Sequence, residues 1–247
     1  SAVAGRASAT AVEFATRAAL KGEASGLVTA PIHKQAWRAA GVTFPGHTEM
    51  LQSLCAEHLG CPVAHLPVRM MLASPRLRVV LATIHLALRD AILAIEPRLL
   101  VDTLQIAHND LGRELGRPPR LVVAGLNPHA GEGGQMGREE IEIIAPAIEL
   151  ARSMGLQVSG PLPSDTVFLQ ALDPDQHPER FDAVVAMYHD QGLIPIKLLN
   201  FDEGVNVTLG LPVRRSSPDH GTAFDIAGTG RARPDSLLAA IAHLARF

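Results

Sequence analysis

The chain has 247 residues, 47% hydrophobic, 19% charged and 4% aromatic, enough to bury a sizeable core as one large domain or two interleaved lobes. Its 22 basic and 25 acidic residues leave a formal net charge of -3 with no block of like charge, so neither nucleic acid nor an anionic membrane is indicated as a partner. Cys55 and Cys61 are too few for a disulfide framework and point to a reducing, cytoplasmic setting, and uncharged runs such as Val79–Leu88 fall far short of the roughly 20 residues of a membrane span.

The chain opens on Ser-Ala-Val-Ala-Gly-Arg, which has neither the basic n-region nor the apolar h-region of a signal peptide. Periodicity then predicts a helix over Ala9–Lys21, a strand over Gly26–Ala30, a helix over Thr48–Leu59, and strands over Val68–Leu72 and Arg78–Ile84. There follow a helix over Pro97–Leu115, a strand over Arg120–Gly125, a helix over Arg138–Met154, a strand over Gln157–Ser159 and a helix over Asp165–Ala171. Strands over Asp182–Tyr188 and Val205–Leu209 and a helix over Asp235–Arg246 complete the pattern. Short β-branched runs alternating with helices indicate an α/β fold with a mostly parallel sheet, whose function gathers at the carboxyl ends of the strands.

Three histidines stand where predicted strands stop. His85 ends the strand from Arg78, His129 lies in a Gly-rich loop directly after the strand from Arg120, and His189 ends the strand from Asp182. One such histidine is ordinarily a capping residue. Three on one rim can converge on a divalent cation and leave positions open for substrate. The loop Gly131-Glu-Gly-Gly-Gln-Met-Gly137 is either a helix-entry turn or an anion-facing loop at the positive end of the next helix; it lacks the Gly-Lys-Ser/Thr of a P-loop. Lys197 and Arg215 are either solvated or placed to hold an anionic group. Asp165 reads as a helix-start carboxylate favoured by the macrodipole. The segment 218–230, Pro-Asp-His-Gly-Thr-Ala-Phe-Asp-Ile-Ala-Gly-Thr-Gly, reads alone as a polar loop.

Seven segments in one order carry a resemblance: Thr-Ala-Pro-Ile-His-Lys (29–34), Pro-Gly-His-Thr-Glu (45–49), His-Leu-Ala-Leu-Arg-Asp (85–90), Gly-Leu-Asn-Pro-His-Ala-Gly-Glu-Gly-Gly (125–134), Gly-Pro-Leu-Pro-Ser-Asp-Thr (160–166), Met-Tyr-His-Asp-Gln-Gly (187–192) and Asp-His-Gly-Thr-Ala (219–223). Together they resemble the PdxA family of vitamin B6 biosynthesis, the 4-hydroxythreonine-4-phosphate dehydrogenases. The last loop is also similar to the cofactor loop of isocitrate and isopropylmalate dehydrogenases. The resemblance implies that fold: an α/β/α architecture of two interleaved subdomains with a cleft. Residues 1–42 with 210–247 would form the cofactor side and 43–209 the metal, substrate and dimerisation side.

Position by position, the resemblance implies that His85, His129 and His189 hold one divalent metal (zinc, cobalt, magnesium or manganese) at a site shared between the subunits of a homodimer. His47, Thr48, Lys197, Asn206 and Arg215 would contact the phosphate and polar groups of a small phosphorylated hydroxy amino acid. Asp165 would be the catalytic acidic residue, as proton acceptor or metal-side carboxylate. His220, Gly221, Thr222 and Ala223 would face NAD or NADP. The implied reaction is oxidation of 4-phosphohydroxy-L-threonine to a 3-oxo acid that loses carbon dioxide to give 3-amino-2-oxopropyl phosphate. A relative acting on a four-carbon sugar-acid phosphate or a terephthalate cis-dihydrodiol is the near alternative. A metal-dependent hydrolase or lyase without NAD, or a catalytically inert binding module, is the distant one. The segment 50–67 reads as several residues longer than in familiar members. The resemblance also implies that roughly eighty residues of a strand–helix unit preceding this opening are missing.

Overall fold

The computed structural model describes residues 1–200 and 202–245. The chain divides into two compact units, one discontinuous (Ser1–Val68 with Val205–Phe247) and one continuous (Arg69–Gly204). The sequence expectation cuts the chain at 42/43 and 209/210, whereas the compact units are cut at 68/69 and 204/205.

In the first unit, α1 (Ala2–Leu20) packs on α2 (Lys34–Ala39) and α3 (His47–Leu59). Their apolar faces, including Val12, Trp37, Leu51 and Cys55, meet Leu27 and Val213 in one core. Helix α1 begins seven residues earlier than periodicity predicted, because Ser1 caps it through Ala4 N–H. Three strands run in the order β1-β8-β7: β8 (Arg215–Pro218) is parallel to β1 (Leu27–Val28) and antiparallel to β7 (Val205–Leu209). Strand β8, Arg-Ser-Ser-Pro, has no apolar pattern, yet all four residues are buried. Its polar groups are satisfied from both sides, Ser216 Oγ donating to the Ala240 carbonyl of α8 (Asp235–Leu244) at 2.8 Å. The last residue of the predicted C-terminal helix, Arg246, lies outside the described residues. Segment 50–67 continues α3 to its left-handed Gly60 cap and then makes a short 3₁₀ turn, Val63–His65.

In the second unit the five strands run β2-β3-β6-β4-β5: β2 (Arg69–Ala73), β3 (Arg78–Leu81), β4 (Arg120–Ala124), β5 (Gln157–Leu162) and β6 (Ala183–Ala186). Strands β3, β6, β4 and β5 are mutually parallel, and only β2 opposes β3. Every residue of β3 and β6 is buried, the mark of parallel strands covered on both faces. Helices α4 (Leu88–Ala94), α5 (Pro97–Leu115), α6 (Ala145–Ser153) and α7 (His189–Leu199) complete the unit. The α/β class read from the sequence is the observed one.

Three expectations need correction. Predicted strand Asp182–Tyr188 ends at Ala186, and α7 follows at once; Gly192 and Pro195 hid this helix, since both break helices in isolation. Gly192 is required where it is: a Cβ there would lie 2.7 Å from Leu81 and Val79 side-chain atoms of β3. The predicted helix Asp165–Ala171 is a turn followed by a 3₁₀ turn, Val167–Ala171. The predicted helix Arg138–Met154 begins as a π turn, Glu140–Ile144, before α6; Pro146 has no N–H to return to Glu142, and a widened turn accommodates it.

Candidate functional site

In the second unit the carboxyl ends of β3, β4, β5 and β6 are joined by hydrogen bonds that place the candidate side chains. Thr83 ties β3 to β6, its N–H and Oγ1 both donating to the Met187 carbonyl (3.2 and 2.7 Å). Two residues beyond each end of that tie stand His85 and His189, with ring centroids 5.6 Å apart. The strand predicted over Arg78–Ile84 ends at Leu81, and His85, four residues beyond, has φ 51, a left-handed conformation that costs a non-glycine residue about 1 kcal/mol. His189 opens α7, and its Nδ1 lies 2.7 Å from Asp190 Oδ1. An ionised carboxylate only accepts, so in the neutral imidazole the proton sits on Nδ1 and the lone pair on Nε2, the nitrogen a metal would use. The two rings and Asp190 line a cavity of about 230 Å³ with Thr83, Leu88 and Tyr188.

His129 is exposed and is the first of a left-handed run: His129, Ala130 and Glu132 have φ of 52, 51 and 44, and Gly131 and Gly133 have 80 and 63. Three non-glycine residues there cost roughly 3–6 kcal/mol, which surrounding contacts must offset. Glu140, 3% exposed, lies under this run. Its Oε1 accepts from Leu126 N–H and Asn127 N–H, both at 2.7 Å, and its Oε2 accepts from Asn127 Nδ2 at 2.9 Å. Among the described residues, no three His, Cys, Asp or Glu side chains of one chain gather for a metal ion. The structure brings His85 and His189 together and leaves His129 apart from them.

A second set of bonds passes through Gln191, which is buried. Its Oε1 accepts from Met187 N–H at 2.6 Å, and its Nε2 donates to the Gly125 carbonyl (2.6 Å) and to Ser164 Oγ (2.9 Å). Ser164 Oγ in turn donates to the Gly125 carbonyl at 2.6 Å. One side chain thus joins the ends of β4, β5 and β6, and sets exposed Asp165 beside that junction. Gln191→Leu leaves the buried Met187 N–H without a partner, at a cost of about 1–3 kcal/mol. Its thermal midpoint should fall by roughly 3–10 °C; an unchanged melting curve would show that the junction contributes nothing. Lys197 lies half-buried on α7, eight residues beyond His189.

In the first unit the anion-binding candidates share one strand face. Alternation along β7 and its register with β8 put Asn206 and Thr208 on the same side as Arg215 and Ser217. Arg215 is 5% exposed, and among the described residues its guanidinium donates only to hydroxyls: Nε and Nη2 to Thr29 Oγ1 (3.1 and 2.7 Å) and Nη1 to Thr208 Oγ1 (3.1 Å). No carboxylate is ion-paired with it among the described residues. Burial lowers its pKa to about 10, so the charge persists at neutral pH. His47, the first residue of α3, sits edge-on to Trp37 with a centroid distance of 5.6 Å, and its buried Nε2 has no hydrogen-bond partner among the described residues. Thr48 follows it on the same helix turn. Burial, and then the positive charge of Arg215, lowers the His47 pKa to about 4.

Folded His47 is therefore neutral at pH 7, whereas the unfolded chain takes up a proton near pH 6.5. Stability is undiminished above pH 6.5 and falls as pH drops towards 4, by on the order of 2–3 kcal/mol. His47→Gln should remove this contribution, so that denaturant titrations of wild type and variant diverge below pH 6.5; parallel curves would show that His47 does not titrate this way.

The candidate cofactor residues His220, Gly221, Thr222 and Ala223 occupy an open loop. His220 and Gly221 are exposed, Ala223 has φ 47, and a Cβ on Gly221 would meet nothing within 4 Å. Phe224, 64% exposed, lies 5.2 Å from the His33 ring. Sequence reading passed over Glu140, Ser164, Gln191 and Thr29. Glu140 could have been suspected only as one acidic residue in a helix's first turn, a position the macrodipole alone explains.

The family model of the pyridoxal phosphate biosynthetic protein PdxA matches residues 1–244. A 4-hydroxythreonine-4-phosphate dehydrogenase of Caulobacter vibrioides is 53% identical over 240 residues, covering 96% of this chain and 69% of the relative. One of Geobacter metallireducens is 52% identical over 227 residues, covering 92% of this chain and 63% of the relative. The chain thus spans about two thirds of the length of these relatives. The 4-hydroxythreonine-4-phosphate dehydrogenase crystal structure from Klebsiella pneumoniae superposes with a TM-score of 0.85 at 41% identity, covering 99% of this chain and 71% of that one. A terephthalate 1,2-cis-dihydrodiol dehydrogenase from Burkholderia xenovorans superposes with a TM-score of 0.71 at 34% identity, covering all of this chain and 74% of that one. With its metal-ligand and anion-binding candidates on two α/β units and a family model matched from its first residue to its 244th, the chain belongs to the PdxA family.

Proposed function

We propose that the protein oxidises 4-phosphohydroxy-L-threonine with NAD or NADP in pyridoxal phosphate biosynthesis, with a divalent metal and the side chains assigned above. The carrying observation is Arg215: a buried guanidinium whose only partners among the described residues are two threonine hydroxyls is arranged for an anion supplied by a ligand. Arg215 together with Lys197 and Asn206, the positions that the resemblance gives to phosphate contact, supports the phosphorylated substrate over a terephthalate dihydrodiol, whose carboxylates a lone arginine would bind equally well.

The chain's residues divide the work. Arg215 holds the phosphate oxygens bidentately, neutral His47 offers Nε2 at its side, and Asn206, Thr48 and Lys197 bind the remaining polar atoms. His189, fixed in its tautomer by Asp190, and the adjacent His85 offer nitrogen donors suited to zinc, cobalt or manganese. When bound, the metal supplies Lewis acidity at the substrate's oxygen, and the nicotinamide accepts the hydride. Asp165, exposed beside the Gly125–Ser164–Gln191 junction, accepts the hydroxyl proton. Asp165→Asn with unaltered turnover and pH profile would remove that role. The loop of His220, Gly221, Thr222 and Ala223 binds the cofactor.

The three imidazoles meet in a homodimer. One chain does not gather them, and the surface beside His85 exposes Leu86, Leu88, Ile92 and Leu93 (49%, 56%, 39% and 78%), an apolar patch suited to a second copy. The test is a turnover assay of the whole protein with NAD or NADP and a divalent metal, offering 4-phosphohydroxy-L-threonine, a four-carbon sugar-acid phosphate and the terephthalate cis-dihydrodiol in turn. Reduced cofactor should appear with the first substrate. No reduced cofactor with any of them, together with no NAD binding by calorimetry, would favour a hydrolase or lyase.

A further inference from the structure

Strand β4 delivers the chain into a turn that six consecutive residues, His129 to Gly134, follow with positive φ. Such a turn does not hold itself in place, because side chains with a Cβ disfavour it. What lies under it is the carboxylate of Glu140. Its two oxygens take three N–H donors from Leu126 and Asn127, immediately before the turn. Glu139 Oε2 accepts a further bond from Asn127 Nδ2 at 2.7 Å. The fit is close on the far side too: a Cβ on Gly131 would lie 2.8 Å from Glu140 Oε2, so the turn can close over the carboxylate only with glycine at that place. Glu140 is the first residue of the π turn, which anchors it to α6.

We propose that Glu140 is a positioning residue for His129: its buried carboxylate clamps the main chain of Leu126 and Asn127 and thereby holds the left-handed turn that carries the imidazole. Glu140 touches neither substrate nor cofactor in this role. It rests on the reading of His129 as a metal ligand, and the two are separable by experiment.

The test is cobalt(II) binding to the metal-free whole protein, followed by the visible absorption of the bound ion and by calorimetry, with thermal melting beside it. Glu140→Ala should weaken cobalt binding by roughly 10–100-fold, as loss of a residue that orients a ligand does. Glu140→Gln keeps one acceptor oxygen for the two main-chain N–H groups but turns an amide NH₂ towards Asn127 Nδ2; it should fold and recover part of the affinity. In a His129→Ala background, removing Glu140 should cost no further affinity, since the residue it positions is gone. Wild-type affinity in both Glu140 variants, or losses that simply add in the double variant, would overturn the proposal. Wild-type affinity in His129→Ala would instead overturn the ligand reading, and this proposal with it.

Discussion

Arg215→Met should lower kcat/KM for the phosphorylated substrate by roughly 10²–10³-fold while leaving the folded protein at least as stable as the wild type. The first effect follows from losing about 3–4 kcal/mol of charge-assisted hydrogen bonding to the phosphate. The second follows from burial: the guanidinium is 5% exposed and faces hydroxyls alone, so the free protein carries the cost of a desolvated charge without an opposite one. Methionine fills similar volume without that cost, and the melting temperature should hold or rise by about 2–4 °C for each kcal/mol gained. Added inorganic phosphate should raise the melting temperature of the wild type and not of the variant. A variant that melts much lower while still turning over phosphorylated substrate would show that Arg215 is a structural residue.

Removing the metal should have an effect as large. Treatment with a chelator, or replacement of His85, His129 or His189 by alanine, should reduce turnover by roughly 10³-fold or more, because Lewis-acid stabilisation of the reacting oxygen is worth several kcal/mol. Zinc, cobalt or manganese should restore the chelated wild type and none of the alanine variants at the same concentration. Asp190→Asn should act more mildly, since it leaves the imidazole in place and removes only the acceptor that fixes its tautomer. Full turnover by chelated protein would exclude the metal from the reaction.

The two experiments probe different units of the chain and can fail independently. Arg215 and His47 belong to the discontinuous unit, whereas His85, His129 and His189 belong to the continuous one. A protein that binds phosphate but not cobalt would retain the anion site and lose the metal reading.

Much of this was legible in the residues. The parallel strands announced themselves because burial on both faces demands uninterrupted apolar runs, as in Val-Val-Ala at 184–186. Helix α5 was bounded correctly, from Pro97 at its start to the left-handed Gly116 beyond Leu115, because both ends carry local signals that need no tertiary partner. The histidines stood out because strand ends are where α/β chains keep their chemistry. Strand β8 and helix α7 were hidden for the opposite reason. Arg-Ser-Ser-Pro is a strand only because neighbouring strands and Ala240 satisfy its polar groups, and α7 carries Gly192 because β3 packs too closely for a Cβ there.

By itself the sequence determined the α/β class, the order of most elements and which residue types were candidates for a metal and an anionic group, whereas the cofactor loop stood out only through its resemblance to a known family. Each of these is written in local periodicity or in short motifs. Only the tertiary structure decided that His85 and His189 are neighbours while His129 stands apart, that Arg215 is buried among hydroxyls, and that Glu140 and Gln191 hold the strand ends together. Such contacts join residues 14, 66 or 186 positions apart, and no local pattern along a chain records which distant donor meets which acceptor.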